Sequence, residues 1–213
     1  LGTAPALSLA AALMLSGVST SFAASSVDLS VKGMITPSAC VPTLSGGGVV
    51  DYGKISAQDL KPNGFTPLPE GRLELSVACE AATLMAVKST DNRPGTSAES
   101  GAFLKNFGLG LASGDKKIGW YLLKMANATG DGVSRAIIES EDGNSWIDAW
   151  DTIWQVGWMR TLNGASGGAA TPLPLQNLKV DVIIAPTLAE KRSLPITEEI
   201  LLDGSATFDV VYL

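Results

Sequence analysis

The residues of this chain best suited to chemistry lie close together. Trp146, Trp150, Trp154 and Trp158 recur every four positions, and Glu139, Glu141 and Asp142 stand just ahead of them. Indole faces stack on sugar rings and anchor protein partners, and Asp148 and Asp151 beside them could accept hydrogen bonds from hydroxyls. A spacing of four keeps all four tryptophans on one face of a strand, and within a broad arc of a helix. Gly157 and the Ile and Thr content weaken the helix. The competing role is packing, because tryptophan is mostly buried in folded proteins, and core filling is weighed above a ligand platform for this series. Trp120, inside the apolar run "IGWYLL", is read as core.

The carboxylates are crowded on a turn-like stretch, "IIESEDGNSW", which reads as a solvated loop rather than the separated pair of a glycosidase. Asp142, Asn144 and Asp148 offer oxygen to calcium, yet the spaced pattern of a calcium loop is missing, and no metal is expected. The chain has no histidine, which removes Ser-His-Asp chemistry and histidine zinc sites. "GLGLASG" at 108–114 lacks the lysine of a phosphate loop. The expectation is a protein that is not an enzyme and holds no cofactor.

These residues need a scaffold, and composition bounds it. The chain has 213 residues, of which 46% are hydrophobic and 17% charged, enough for one packed domain. A net charge of −6 without a basic cluster excludes nucleic acid and anionic membrane surfaces as partners. The first apolar run ends in Ser21-Phe22-Ala23 and reads as a secretory leader over 1–23, cleaved to leave a mature domain over 24–213 with no membrane span. Export to the periplasm or cell surface favours pairing of the two cysteines, Cys40 and Cys79. Closing that loop removes roughly 4 kcal/mol of unfolded-chain entropy.

After residue 26 the pattern is that of strands. "VDLSVKGMI", "RLELSVAC", "LKVDVIIA" and "SATFDVVYL" alternate apolar and polar residues, the period of a strand with one buried face. Turn-forming clusters separate them: "SGGG", "KPNG", "DNRPGTS", "NGASGG" and "LDGS". Short strands with frequent turns indicate an all-β sandwich or barrel. The surplus length over 131–170 reads as an insertion.

The order of Cys40, a Gly-rich stretch, "VDYGKI" at 50–55, Cys79 and a last alternating strand with penultimate Tyr212 resembles the pilin subunits of the chaperone-usher pathway. "GLGLASGDKKIGWYLL" is similar to that family's middle strands. More narrowly, the chain is similar to a group of fimbrial-like secreted proteins of gamma-proteobacteria known only as a domain of unknown function. The resemblance implies an immunoglobulin-like sandwich missing its last strand, tied by a disulfide between the first two strands. It implies a groove bordered by Gly204, Ala206, Phe208, Val210 and Tyr212, filled first by a periplasmic chaperone and then by another fimbrial subunit. Cleavage after Ala23 leaves only Ala24, Ser25 and Ser26 ahead of the first alternating run, so a donor arm is not expected: the subunit would then stand at the tip of an adhesive fimbrium or stay unpolymerised, unless the strand assignment is shifted or the surplus length supplies the missing strand. The other expectation is a free periplasmic or surface module that holds a glycan on Trp146, Trp150, Trp154 and Trp158.

Overall fold

The computed structural model describes residues 29–32, 39–99, 101, 105–149 and 153–213, and the leader lies outside them. The chain divides into two compact units, 1–35 and 36–213. Of the first, only Leu29–Lys32 is described. These residues, expected within a strand, have no regular structure, and Leu29 and Val31 are 90% and 89% exposed. Alternation marks a segment able to bury one face, but a strand also needs a neighbour for its backbone hydrogen bonds.

The second unit is nearly all β. Its main strands are β1 (Cys40–Leu44), β2 (Gly71–Thr83), β3 (Met85–Asp91), β4 (Gly119–Gly130), β5 (Ile137–Ser140), β6 (Ile153–Trp154), β7 (Met159–Leu162), β8 (Leu175–Leu188) and β9 (Ala206–Tyr212). The larger sheet has the order β1-β2-β8-β4-β6, and the smaller runs β5-β7-β3-β9 with Ile147–Asp148 outside β5. All these pairings are antiparallel.

The alternation explains the layering. Leu75, Val77 and Cys79 of β2 and Leu178, Val180 and Val182 of β8 are buried, while Arg72, Glu74 and Lys179 between them face water. At Leu84 the chain leaves the larger sheet and enters the smaller as β3, whose Met85, Ala86 and Val87 are wholly buried. The inner faces of both sheets join in one core that includes Leu75, Met85, Met125, Leu162 and Leu178. Two antiparallel sheets closed over a shared apolar layer make an all-β sandwich.

Two expectations need correction. The segment 131–170 is no appended loop: it supplies β5, β6 and β7, and its Ile138, Trp154 and Leu162 are completely buried. "LDGS" at 202–205 is irregular chain leading into β9 rather than a turn. Asp203 and Gly204 have packing and pairing roles there, described below, that composition does not distinguish from turn chemistry. "SGGG", by contrast, does turn, with Gly46 and Gly47 at φ of 60° and 64°, the left-handed region glycine enters without strain.

Candidate functional site

Among the described residues, β9 pairs with a strand on one side only. It pairs with β3 from Ala206↔Asp91 to Tyr212↔Met85. Just beyond its ends the Ser205 carbonyl accepts from the Asn92 N–H at 3.0 Å, and the Leu213 N–H donates to the Leu84 carbonyl at 3.1 Å. Backbone groups in an antiparallel ladder alternate in direction. The odd-numbered residues of β9 therefore bond β3, and Ala206, Phe208, Val210 and Tyr212 direct their N–H and C=O groups to the free edge. The side chains of the same four residues are half-buried and turned inward. Free edge and apolar side chains thus border one opening.

Across that opening stands β1, the edge strand of the larger sheet. The Cys40–Cys79 disulfide joins it to β2 at directly opposed positions, with an S–S distance of 2.03 Å. The two edges meet at one end, where the Cys40 N–H donates to the Tyr212 hydroxyl at 3.0 Å. Away from this seal they part. A cavity of about 230 Å³ opens between Leu44 and Val50 on one wall and Gly204, Ala206 and Phe208 on the other. Its floor is Tyr121 and Leu123 of β4 with Val182 and Ile184 of β8. It shares Val50, Tyr52 and Leu202 with a second cavity of about 510 Å³, walled by Ile55 and Leu60 opposite Leu194, Ile196 and Ile200. The two form one groove along the sandwich edge, and its rim leaves Val49 and Leu201 68% and 75% exposed.

The wall after Leu202 is held from outside. Arg93 donates to both carboxylate oxygens of Asp203, Nε at 2.7 Å and Nη2 at 2.8 Å. That hydrogen bonding keeps the Asp203 carboxyl below the usual carboxylate range. Asn92 Nδ2 donates to the hydroxyls of Ser205 and Thr207, each at 3.0 Å. Gly204 presses on the floor: a Cβ there would lie 2.9 Å from Leu109 Cδ2 and 3.0 Å from Tyr121 Cε1. Close approach, rather than backbone freedom, is why glycine stands at 204. Burial raises the Tyr121 phenol far above its ordinary value.

The opposite wall comes from "VDYGKI". Gly53 has φ of 59°, and its N–H donates to Asp51 Oδ1 at 2.8 Å, a turn that sets Tyr52 and Ile55 toward the groove. The Tyr52 hydroxyl is buried and has no hydrogen-bond partner among the described residues. Burial is the main cause of its raised pKa, and the nearby Gly71 amide, outside bonding geometry, offsets this only in part.

The tryptophans do not share one element. Trp154 lies in β6, wholly buried, its ring stacked on Phe208 at 5.2 Å and its indole N–H donated to the Trp158 carbonyl at 3.0 Å. Trp146 and Trp158 are half-buried outside the strands, and Trp146 donates to the Gly143 carbonyl at 3.1 Å. Trp150 lies outside the described residues. Trp120 is buried in β4, with Phe65 edge-on at 4.5 Å.

The carboxylates also separate. Glu139, expected in a solvated loop, is buried in β5, where its Oε2 accepts from Arg160 Nε at 3.1 Å and Nη2 at 2.7 Å. Glu141 and Asp142 are exposed, as expected of a loop. Asp142 Oδ1 accepts the N–H groups of Asn144 and Ser145, both at 2.9 Å, and these bonds depress its pKa. Among the described residues no cluster of three or more acidic or cysteine side chains is placed to hold a metal.

Sequence reasoning missed the wall from Leu194 to Leu202. Its signal is faint but present: Leu194, Ile196, Ile200 and Leu202 stand at even separations, as on one face of extended chain. The Arg160–Glu139 pair had no signal, since partners 21 residues apart meet only through strand pairing.

Residues 29–103 match a family described as a protein of unknown function, DUF1120. The match covers β1, the disulfide, the "VDYGKI" wall, β2 and β3. The chain is similar to Protein GltF of Escherichia coli K12, 28% identical over 87% of this chain and 88% of that protein. It is also similar to the uncharacterized protein YhcF of the same organism, 27% identical over 90% of this chain and 92% of that protein.

Proposed function

We propose that this chain is an exported fimbrial or fimbria-like structural subunit whose activity is to accept an extended strand, first from a periplasmic chaperone and then from another subunit. In this reading the unit is an immunoglobulin-like sandwich short of its final strand, and the strand supplied in trans completes it. The observation that carries the reading is the groove: the backbone groups of Ala206, Phe208 and Val210 pair with no strand among the described residues, and Ala206 and Phe208 border an open apolar trough, the arrangement used in strand addition. The disulfide supports export, since such bonds persist in oxidising compartments. No helix among the described residues is long and apolar enough to cross a membrane.

The case for a tip position assumed that the first alternating segment belongs to the domain. Leu29 and Val31 are exposed and outside any strand, which gives that assumption no support, and a tip position is not proposed. The glycan-binding alternative draws less support, because Trp154 presents no open face and Trp146 and Trp158 are half-buried on separate segments.

Hydrogen exchange tests strand acceptance. The amides of Ala206, Phe208 and Val210 should exchange rapidly in the chain alone and become protected on co-expression with its chaperone. A stable monomer with those amides already protected would sink the reading.

A further inference from the structure

We propose that the groove selects, among extended segments, one that carries a lysine or arginine at the end seated against Glu198 and Glu199. This rests on the strand-accepting reading and specifies the partner's chemistry. The two halves of the groove differ. The half beside Phe208 is lined by neutral side chains alone. The half beyond Leu202 adds Asp51, Glu198 and Glu199 against one cation, Lys54. The Asp51 carboxylate is engaged by the Gly53 N–H. Glu198 and Glu199 are exposed and enter no ion pair among the described residues. Two free carboxylates beside an apolar wall make a negative mouth at one end of an uncharged trough, and such a field favours a cationic group on whatever enters.

The charge resolves an ambiguity that the apolar lining leaves. Side chains of a strand alternate with a period of two, so a slip by two residues keeps the same face in the groove. An alternating segment alone would seat in several registers. The Tyr212–Cys40 hydrogen bond closes one end and limits travel that way. A cation held at Glu198 and Glu199 marks the other end, and the two together define one register.

The test uses the whole mature chain and fluorescently labelled synthetic peptides of about ten residues, roughly 33 Å when extended. The parent peptides alternate Val and Ser and carry one Lys at the first or the last position, since the strand can enter in either direction. Companions replace that Lys by Gln or Glu, or move it to the centre, and a control breaks the apolar face with Pro. One terminal-Lys peptide should bind about tenfold more tightly than its Gln companion, and the Glu and central-Lys companions should bind more weakly still. The advantage should shrink as salt rises and vanish in the E198Q/E199Q double variant, which should still bind the Gln peptide as the parent chain does. Equal binding of the Lys, Gln and Glu peptides would overturn the charge selection and leave the groove reading standing. Binding of every peptide no better than the Pro control would overturn both.

Discussion

The segment 131–170 and the groove beside β9 hold similar materials, aromatic rings, aliphatic side chains and carboxylates, yet the two regions finish them differently. In the segment the buried aromatic and charged groups, Trp154, Arg160 and Glu139, are answered within the chain. Trp154 stacks on Phe208 and donates its indole N–H, and Arg160 and Glu139 neutralise each other under cover. In the groove the described residues leave them open: a sheet edge that pairs with no further strand, apolar walls that part after Leu44, and the carboxylates of Glu198 and Glu199 outside any ion pair. Completed chemistry marks structure and incomplete chemistry marks a place for a partner. Aromatic spacing in the sequence pointed to the first region, and the unfilled space lies in the second. Phe208 belongs to both, stacked on Trp154 and among the residues that line the groove.

Stability measurements on variants sharpen this contrast. The largest effects belong to the closed region. Arg160→Ala strands the Glu139 carboxylate and should cost about 3–5 kcal/mol in urea unfolding, whereas Arg160→Met with Glu139→Leu should recover most of that loss. Trp154→Ala should cost a similar amount, roughly 3–5 kcal/mol, by leaving a void beneath Phe208. A loss below about 1 kcal/mol for both would erase the distinction between the regions. Ala206→Phe works in the opposite sense. It fills part of the 230 Å³ space and should leave the isolated chain as stable as before, or more stable by roughly 1 kcal/mol, while abolishing strand binding. Tyr212→Phe removes the bond to the Cys40 amide and should cost about 1 kcal/mol, with faster exchange of that amide as its signature.

The smallest expected effect is acidic. The Asp203 pKa is lowered in the folded state by Arg93, so its contribution is present above the unfolded carboxylate pKa, about 4, and is lost as pH falls through the folded value. Asp203→Asn should therefore lower stability slightly at neutral pH and flatten the decline below about pH 4. An unchanged acid limb of the unfolding profile would show that the Arg93 clamp does not hold the groove wall.

Much of the sandwich was legible because strand alternation is a local property. Leu75, Val77 and Cys79, Leu178, Val180 and Val182, and Ala206, Phe208 and Val210 each announce an inward face within a few residues. The resemblance carried by Cys40, Cys79 and "VDYGKI" implied a groove along β9 but did not name "VDYGKI" as the wall that faces it. Beyond these, legibility failed where burial depends on a distant neighbour. "VDLSVKGMI" has the pattern of a strand and, over Leu29–Lys32, no strand. "LDGS" has turn composition but forms no turn, its Asp203 bonded by Arg93, its Ser205 by Asn92, and its Gly204 packed close to the Tyr121 ring.

By itself, then, the order of residues determined the all-β class, the period and inward faces of the long strands, and the two cysteines available for a bond, because side-chain alternation and cysteine chemistry are written residue by residue. Tertiary structure decided that Trp154, among the described members of its series, would be the one wholly buried, that the Arg160–Glu139 pair would be buried, and that residues 44–60 and 194–208 would stand apart as facing walls. An opening between two edges belongs to neither segment, and it exists only once both sheets have packed.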